Sequence, residues 1–78
     1  MLLQETDIGG SYRVKSLSLP VELERRLESL GLIEGSQISV LRKKRKGAMI
    51  VKVRGTRFAV GYGISTHITV EKGVAYGT

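Results

Sequence analysis

Residues 27–35 constrain the fold of this chain more than any other stretch, because a helix pattern ends there and a strand pattern follows. Leu23, Leu27 and Leu30 recur at the i, i+4, i+7 spacing that places side chains on one face of a helix. This spacing predicts a short helix over about residues 20–30, with its leucine face buried.

Glycine is predicted to end this helix. Gly31 directly follows the last leucine, at the position where a helix commonly ends in a residue of positive φ, which glycine adopts without steric cost. Leu32 then falls where it can contact Leu27, the usual apolar pair of a Schellman ending. Gly35 permits a tight turn into the next segment. We therefore predict structural roles for Leu27, Leu30, Gly31, Leu32 and Gly35.

Alternating apolar and polar residues predict five short strands, at residues 11–17, 36–41, 48–54, 57–60 and 68–71. Gly55 has a predicted structural role as the first central residue of a type II′ turn with Thr56, a position that needs glycine. Closing the strands into a barrel leaves few exposed edges, which suits a chain with a small core. The fold class predicted is mostly β: a small SH3-like five-stranded barrel, with one short helix between its first and second strands.

Length and composition bound the remaining possibilities. Seventy-eight residues predict a single domain over residues 1–78, with residues 73–78 as a loose tail. The chain has no cysteine, so disulfides and thiolate metal sites are excluded. No apolar run approaches the ~18 residues of a membrane-spanning helix, and the polar beginning is unlike a signal peptide. We expect a soluble, cytoplasmic protein.

The charge balance predicts an acidic partner. Thirteen Lys and Arg face seven Asp and Glu, a net charge of +6, and five of the cations form one unbroken run, the basic run, from Arg42 to Lys46. The alternative is a solvated hairpin tip that keeps the protein in solution. Tyr62 is added to the candidate residues because tyrosine gives a large contact area at low entropic cost. The predicted partner-binding residues are Arg42, Lys43, Lys44, Arg45, Lys46, Arg54, Arg57 and Tyr62.

The sequence offers no catalytic or metal-binding set. His67 is the only histidine and Asp7 the only aspartate, so neither a metal site nor a catalytic triad is predicted. A phosphate-binding loop of the Gly-x-x-x-x-Gly-Lys-Ser/Thr type is absent from the sequence. We expect a protein that is not an enzyme and that carries no cofactor and no metal.

Several short motifs in a fixed order carry a family resemblance. They are Gly9-Gly10, Val14, Arg26-Leu27, Leu30-Gly31-Leu32, Gly35, Ile38, Val40, residues 51–55, residues 58–61 and residues 68–70. With these motifs the chain resembles the FeoA family of bacterial ferrous-iron transport accessory proteins. Two departures stand out: the basic run is more basic than the family pattern, and Ser65 stands where the family commonly has alanine.

The resemblance implies an SH3-like barrel and an adaptor role. FeoA proteins are thought to act beside FeoB, a membrane ferrous-iron transporter with a cytoplasmic GTPase domain. The resemblance therefore implies that this chain binds and modulates such a transporter, which would recruit it to the inner face of the membrane. The alternative function is a nucleic-acid-binding barrel that uses the basic run, although no aromatic residue is interleaved with that run for base stacking.

Overall fold

The structure is a computed structural model, and it describes residues 1–73. Five strands and two helices follow one another as β1 (Ser11–Leu17), α1 (Val21–Ser29), β2 (Gln37–Lys43), β3 (Met49–Val53), β4 (Thr56–Val60), α2 (Tyr62–Ser65) and β5 (Ile68–Lys72). Two short 3-10 helices are added at Leu3–Glu5 and Arg45–Gly47. The prediction of a mostly β fold with five strands and a helix after the first is confirmed. The four-residue helix α2 is a further element that the strand pattern did not predict.

All five strands belong to one antiparallel sheet, in the order β4-β3-β2-β1-β5. The register shifts between Val14 and Ser16 where β1 meets β5, and between Val40 and Arg42 where β2 meets β3. Bulges of this kind bend a strand and increase its twist. The sheet can therefore curl around one core, and β4 and β5 are left as its two edges.

The core lies on the inner face of the curled sheet, and alternate strand residues supply most of it. Helix α1 and the segment after it cover one end through Leu27 and Leu32, which are 6% and 1% exposed. Phe58 packs against the cluster while remaining partly exposed. The buried apolar residues are Leu3, Tyr12, Val14, Leu27, Leu32, Ile38, Val40, Met49, Val51, Val53, Val60, Ile68 and Val70.

Helix α1 ends in a Schellman arrangement. Gly31 has φ +93°, and its N–H donates to the carbonyl of Glu28 at 2.8 Å. The N–H of Leu32 donates to the carbonyl of Leu27 at 2.9 Å. This bond and the one from Gly31 are the two hydrogen bonds that define the motif. Gly35, at φ +91°, then donates its N–H to the carbonyl of Val14 at 2.8 Å, so the turn after the helix is joined to β1.

The turn between β3 and β4 differs from the prediction by one residue. Val53 pairs with Thr56, so the two central residues are Arg54 and Gly55. Both have positive φ, at 53° and 83°, which is the signature of a type I′ turn. The predicted type II′ turn at Gly55-Thr56 is therefore wrong. The reason is the register: pairing of Val53 with Thr56 makes Arg54 the first central residue, and Arg54 adopts the left-handed conformation that only glycine was expected to take.

Two sequence predictions concern membrane-spanning segments and the C-terminal end of the chain. Within residues 1–73, no helix is long and apolar enough to cross a membrane. The N–H of Gly73 donates to the carbonyl of Ser11 at 3.0 Å, so that residue is attached to β1. The rest of the loose tail predicted for residues 73–78 lies outside the described residues.

Candidate functional site

The basic run is divided between a strand and a turn. Strand β2 extends through Lys43, and Arg45–Gly47 form a 3-10 turn in which Lys46 has φ +65°. The N–H of Lys44 donates to the carbonyl of Ala48 at 2.7 Å and closes the connection between β2 and β3. The basic run therefore comprises the last residues of β2 and the first residues of the connection to β3.

Four of the five cations in the run are exposed, and Lys43 is the exception. Lys43 is half-buried, and its Nζ donates to the carbonyl of Gln4 at 3.1 Å. Gln4 also accepts a hydrogen bond at its Oε1 from the hydroxyl of Ser65, at 2.6 Å. Ser65 is completely buried. Lys43 and Ser65 therefore join the first residues, the hairpin and α2, which is a structural role.

The outer face of β2, β3 and β4 forms a shallow groove of about 420 Å³. Lys52 on β3 lies directly opposite Arg57 on β4. Like charges that face each other across strands are destabilising, so this pair does not serve folding. The groove, called here the basic groove, is lined by four cations and two apolar side chains: Leu41, Arg42, Lys44, Ile50, Lys52 and Arg57.

Lys52 is the one cation of this groove that was not predicted from the sequence. A signal for it does exist in the sequence, because residues 35–70 contain eight Lys and Arg and no Asp or Glu. The rest of the chain has five cations and all seven acids. No acidic residue within this segment compensates the cations of β2, β3 and β4, so the positive excess of the whole protein belongs to residues 35–70.

Tyr62 lies at the hairpin end of this surface. Its side chain is 56% exposed and packs over Gly47, where an added Cβ would come within 2.3 Å of the Tyr62 Cδ1. Gly47 also has φ +81°. A glycine is therefore needed under the tyrosine ring, and the ring is held beside the basic run.

Arg54 lies apart from the other predicted partner-binding residues. It belongs to the turn at the far end of β3, and its Cδ is 2.9 Å from where a Cβ on Gly31 would be. The predicted set thus separates into two groups. The basic run and Tyr62 lie at the connection between β2 and β3, and Arg57 shares the basic groove with that run, whereas Arg54 packs against the end of α1.

A second groove is lined by acidic side chains. Glu24, Glu28 and Glu34 line a groove of about 390 Å³ together with Leu32 and Ile33. Within residues 1–73, no group of three or more His, Asp or Glu side chains is arranged to hold a metal ion. The protein therefore has one groove lined by three acids and another lined by four cations.

His67 and Glu71 have local partners. The His67 Nδ1 lies 2.9 Å from the carbonyl of Gly63, so this nitrogen is the donor and the imidazole fastens the end of α2. Across β1 and β5, the guanidinium of Arg13 donates to Glu71, with the Nε 2.9 Å from the Oε2. This hydrogen bond lowers the pKa of the Glu71 carboxyl below its ordinary value. Neither arrangement resembles a reaction centre.

The chain is similar to known proteins in its family pattern, its sequence and its structure. The model of the FeoA domain matches residues 1–72. The protein of Methanocaldococcus jannaschii that carries the name Putative Fe(2+) transport protein A is 32% identical over 63 residues, 81% of this chain and 76% of that protein.

Solved structures give the same result. The solution structure of FeoA from Chlorobium tepidum superposes with a TM-score of 0.86 at 30% identity, over 92% of this chain and 70% of that one. FeoA of Stenotrophomonas maltophilia, solved with zinc and described as an SH3 domain protein, has a TM-score of 0.75 at 28% identity, over 91% and 89% of the two chains. The predicted SH3-like fold is confirmed by this likeness. The chain belongs to the FeoA family.

Proposed function

We propose that this protein is a cytoplasmic accessory protein of ferrous-iron uptake, which binds a FeoB-type transporter at its GTPase domain and modulates transport. Membership of the FeoA family supports the iron-uptake role. So does the likeness to the Stenotrophomonas maltophilia protein, which is described as a candidate activating factor of bacterial ferrous iron transport. Binding to the transporter would bring the protein to the inner face of the membrane.

The basic groove is the observation that carries the proposal. Its four cations, Arg42, Lys44, Lys52 and Arg57, have no acidic residue within residues 35–70 to neutralise them. Charges of this kind raise the association rate with an oppositely charged partner and set its orientation. We propose that the protein acts by this contact, without catalysis, cofactor or bound metal.

The test is a calorimetric titration of the protein against the soluble GTPase domain of the transporter. Arg42→Glu together with Lys44→Glu reverses two exposed groove charges and leaves the structural Lys43 intact. The expected result is a loss of affinity of about tenfold or more, corresponding to at least about 1.4 kcal/mol. The affinity of the unmodified protein should also fall as salt rises, because exposed charges are screened.

A matched control separates the groove from net charge. Arg25→Glu with Lys72→Glu makes the same change in net charge at exposed positions of α1 and β5, outside the groove. This variant should bind the GTPase domain within about twofold of the unmodified protein, as expected for distant surface charges screened by salt. Equal losses in both double variants, or no binding by the unmodified protein at low salt, would refute the groove as the contact.

Nucleic-acid binding is the second candidate, and the uncompensated charge of residues 35–70 is the observation that favours it. Among residues 1–73, Tyr62 is the aromatic side chain beside the basic run, so a stacking platform for several bases is absent there. A binding isotherm with single-stranded DNA tests this candidate. It requires a log affinity that falls steeply with log salt, with a slope of about −0.7 for each phosphate contacted.

A further inference from the structure

The two edges of the sheet are not equivalent. The edge of β5 is covered by the first residues of the chain: Leu2 forms a bridge with Thr69, and the N–H of Val70 donates to the carbonyl of Met1 at 2.7 Å. The edge of β4 has no such cover among residues 1–73. Within residues 1–73, β4 pairs with β3 on one side and with no segment on the other.

The register of the hairpin identifies the backbone groups at this open edge. Val53 and Thr56 flank a two-residue turn, so they form the closing hydrogen-bonded pair. Hydrogen-bonded and non-hydrogen-bonded pairs alternate along an antiparallel ladder. The N–H and C=O groups of Arg57 and Ala59 therefore point away from β3, toward the space where a further strand would lie.

The side chains beside this edge belong to the basic groove. Arg57 and Ala59 are both exposed. They lie directly opposite Lys52 and Ile50 on β3. A strand hydrogen-bonded to β4 would lie about 4.8 Å from it. Its outward side chains would then be within reach of Arg57 and, beyond it, Lys52. Carboxylates at alternate positions would meet cations, whereas Ala59 leaves room for a larger neighbour.

We propose that the open edge of β4 receives an extended acidic segment of a partner protein as a sixth strand. Main-chain hydrogen bonds to Arg57 and Ala59 would supply affinity, and pairing with Arg57 and Lys52 would select for acidic side chains. The same charges disfavour a second copy of this chain, since edge cations are a common defence against edge-to-edge pairing. This inference rests on the proposed function, because it specifies how the partner is bound.

The probe is a blocked peptide of four Glu-Val repeats, added to the ¹⁵N-labelled protein. The expected result is slowed hydrogen exchange at the amides of Arg57 and Ala59, with chemical-shift changes centred on β4. The same peptide N-methylated at every second residue carries equal charge but cannot pair along its methylated edge. It should bind at least about tenfold more weakly. Equal binding of both peptides, with no protection of the two amides, would overturn the inference.

Ala59→Pro tests the edge from the protein side. Proline removes an N–H that points away from β3, which an edge strand tolerates, so the ladder between β3 and β4 should remain. The variant should keep the spectrum of β1, β2 and β5 and lose about tenfold or more in peptide affinity. If it does not fold, the N-methylated peptide still decides the question. Unchanged affinity in a folded Ala59→Pro variant would overturn the inference.

Two further measurements distinguish other occupants and separate this inference from the proposed function. Displacement of the peptide by a ten-nucleotide oligo-dT at about physiological salt, or self-association that Ala59→Pro abolishes, would overturn the inference. If the transporter's GTPase domain binds the unmodified protein and Ala59→Pro equally, the inference fails and the proposed function stands. If the peptide pairs with β4 but the GTPase domain does not bind, the inference stands and the proposed function fails.

Discussion

Replacing Gly31 with alanine tests the helix ending on which the fold depends. Gly31 has φ +93°, and a residue with a Cβ pays about 1–2 kcal/mol for the left-handed conformation. Alanine also restricts the unfolded chain, which returns about 0.4–1 kcal/mol at positions it can occupy. The net loss expected for Gly31→Ala is therefore about 1 kcal/mol, and for a domain of this size that lowers Tm by about 4–8 °C.

The neighbouring Arg54 introduces a second possible cost. Its Cδ lies 2.9 Å from the position of the added Cβ, but the side chain is long and exposed and can move aside. The double variant with Arg54→Ala distinguishes the two causes. If backbone conformation is responsible, the cost of Gly31→Ala should be unchanged within about 0.5 kcal/mol in that background.

Urea unfolding followed by circular dichroism measures the free energies, with a constant m-value as the check on two-state behaviour. Gly63→Ala is the matched control, because Gly63 has no positive φ and open space around its Cβ position. It should leave the free energy of unfolding unchanged or slightly raised, since alanine is the better helix former. Gly31→Ala within about 0.3 kcal/mol of the unmodified protein would refute the reasoning.

Three further changes have definite expectations. Met49→Ala removes a completely buried side chain from β3; we expect a loss of about 2–5 kcal/mol, seen as unfolding at much lower urea, and a smaller loss would mean that the core can collapse. Ser65→Ala removes the hydrogen bond to Gln4 and should cost about 0.5–1.5 kcal/mol in the same assay, whereas a more stable variant would contradict its structural role. NMR titration should find the pKa of Glu71 below its ordinary value, and Arg13→Ala should raise it. Because the pKa is depressed, the pair of Arg13 and Glu71 stabilises the fold at pH values above the pKa of the unfolded state, and this stabilisation is lost as pH falls through the pKa of the folded state. An unchanged pKa in Arg13→Ala would contradict this prediction.

Local patterns were sufficient where one segment decides its own conformation. Strand β1 has the predicted bounds of residues 11–17, because buried Tyr12 and Val14 alternate with exposed Arg13 and Lys15 before its register shifts. The pattern was insufficient at β2, which continues to Lys43 rather than ending at residue 41. A register shift between Val40 and Arg42 interrupts the alternation there, so the strand no longer has a period of two although its pairing with β3 continues.

The sequence by itself determined the helix stop at Gly31, the inward face of each strand and the excess of positive charge, since these depend on neighbours along the chain. The tertiary structure decided which cations lie together. Lys52 and Arg57 face each other beside a turn whose register is one residue from the predicted one, whereas the Arg54 side chain, from within that turn, packs against Gly31 and does not line the basic groove. Side chains alternate with a period of two, so the register between strands, rather than composition, decides which charges share a surface.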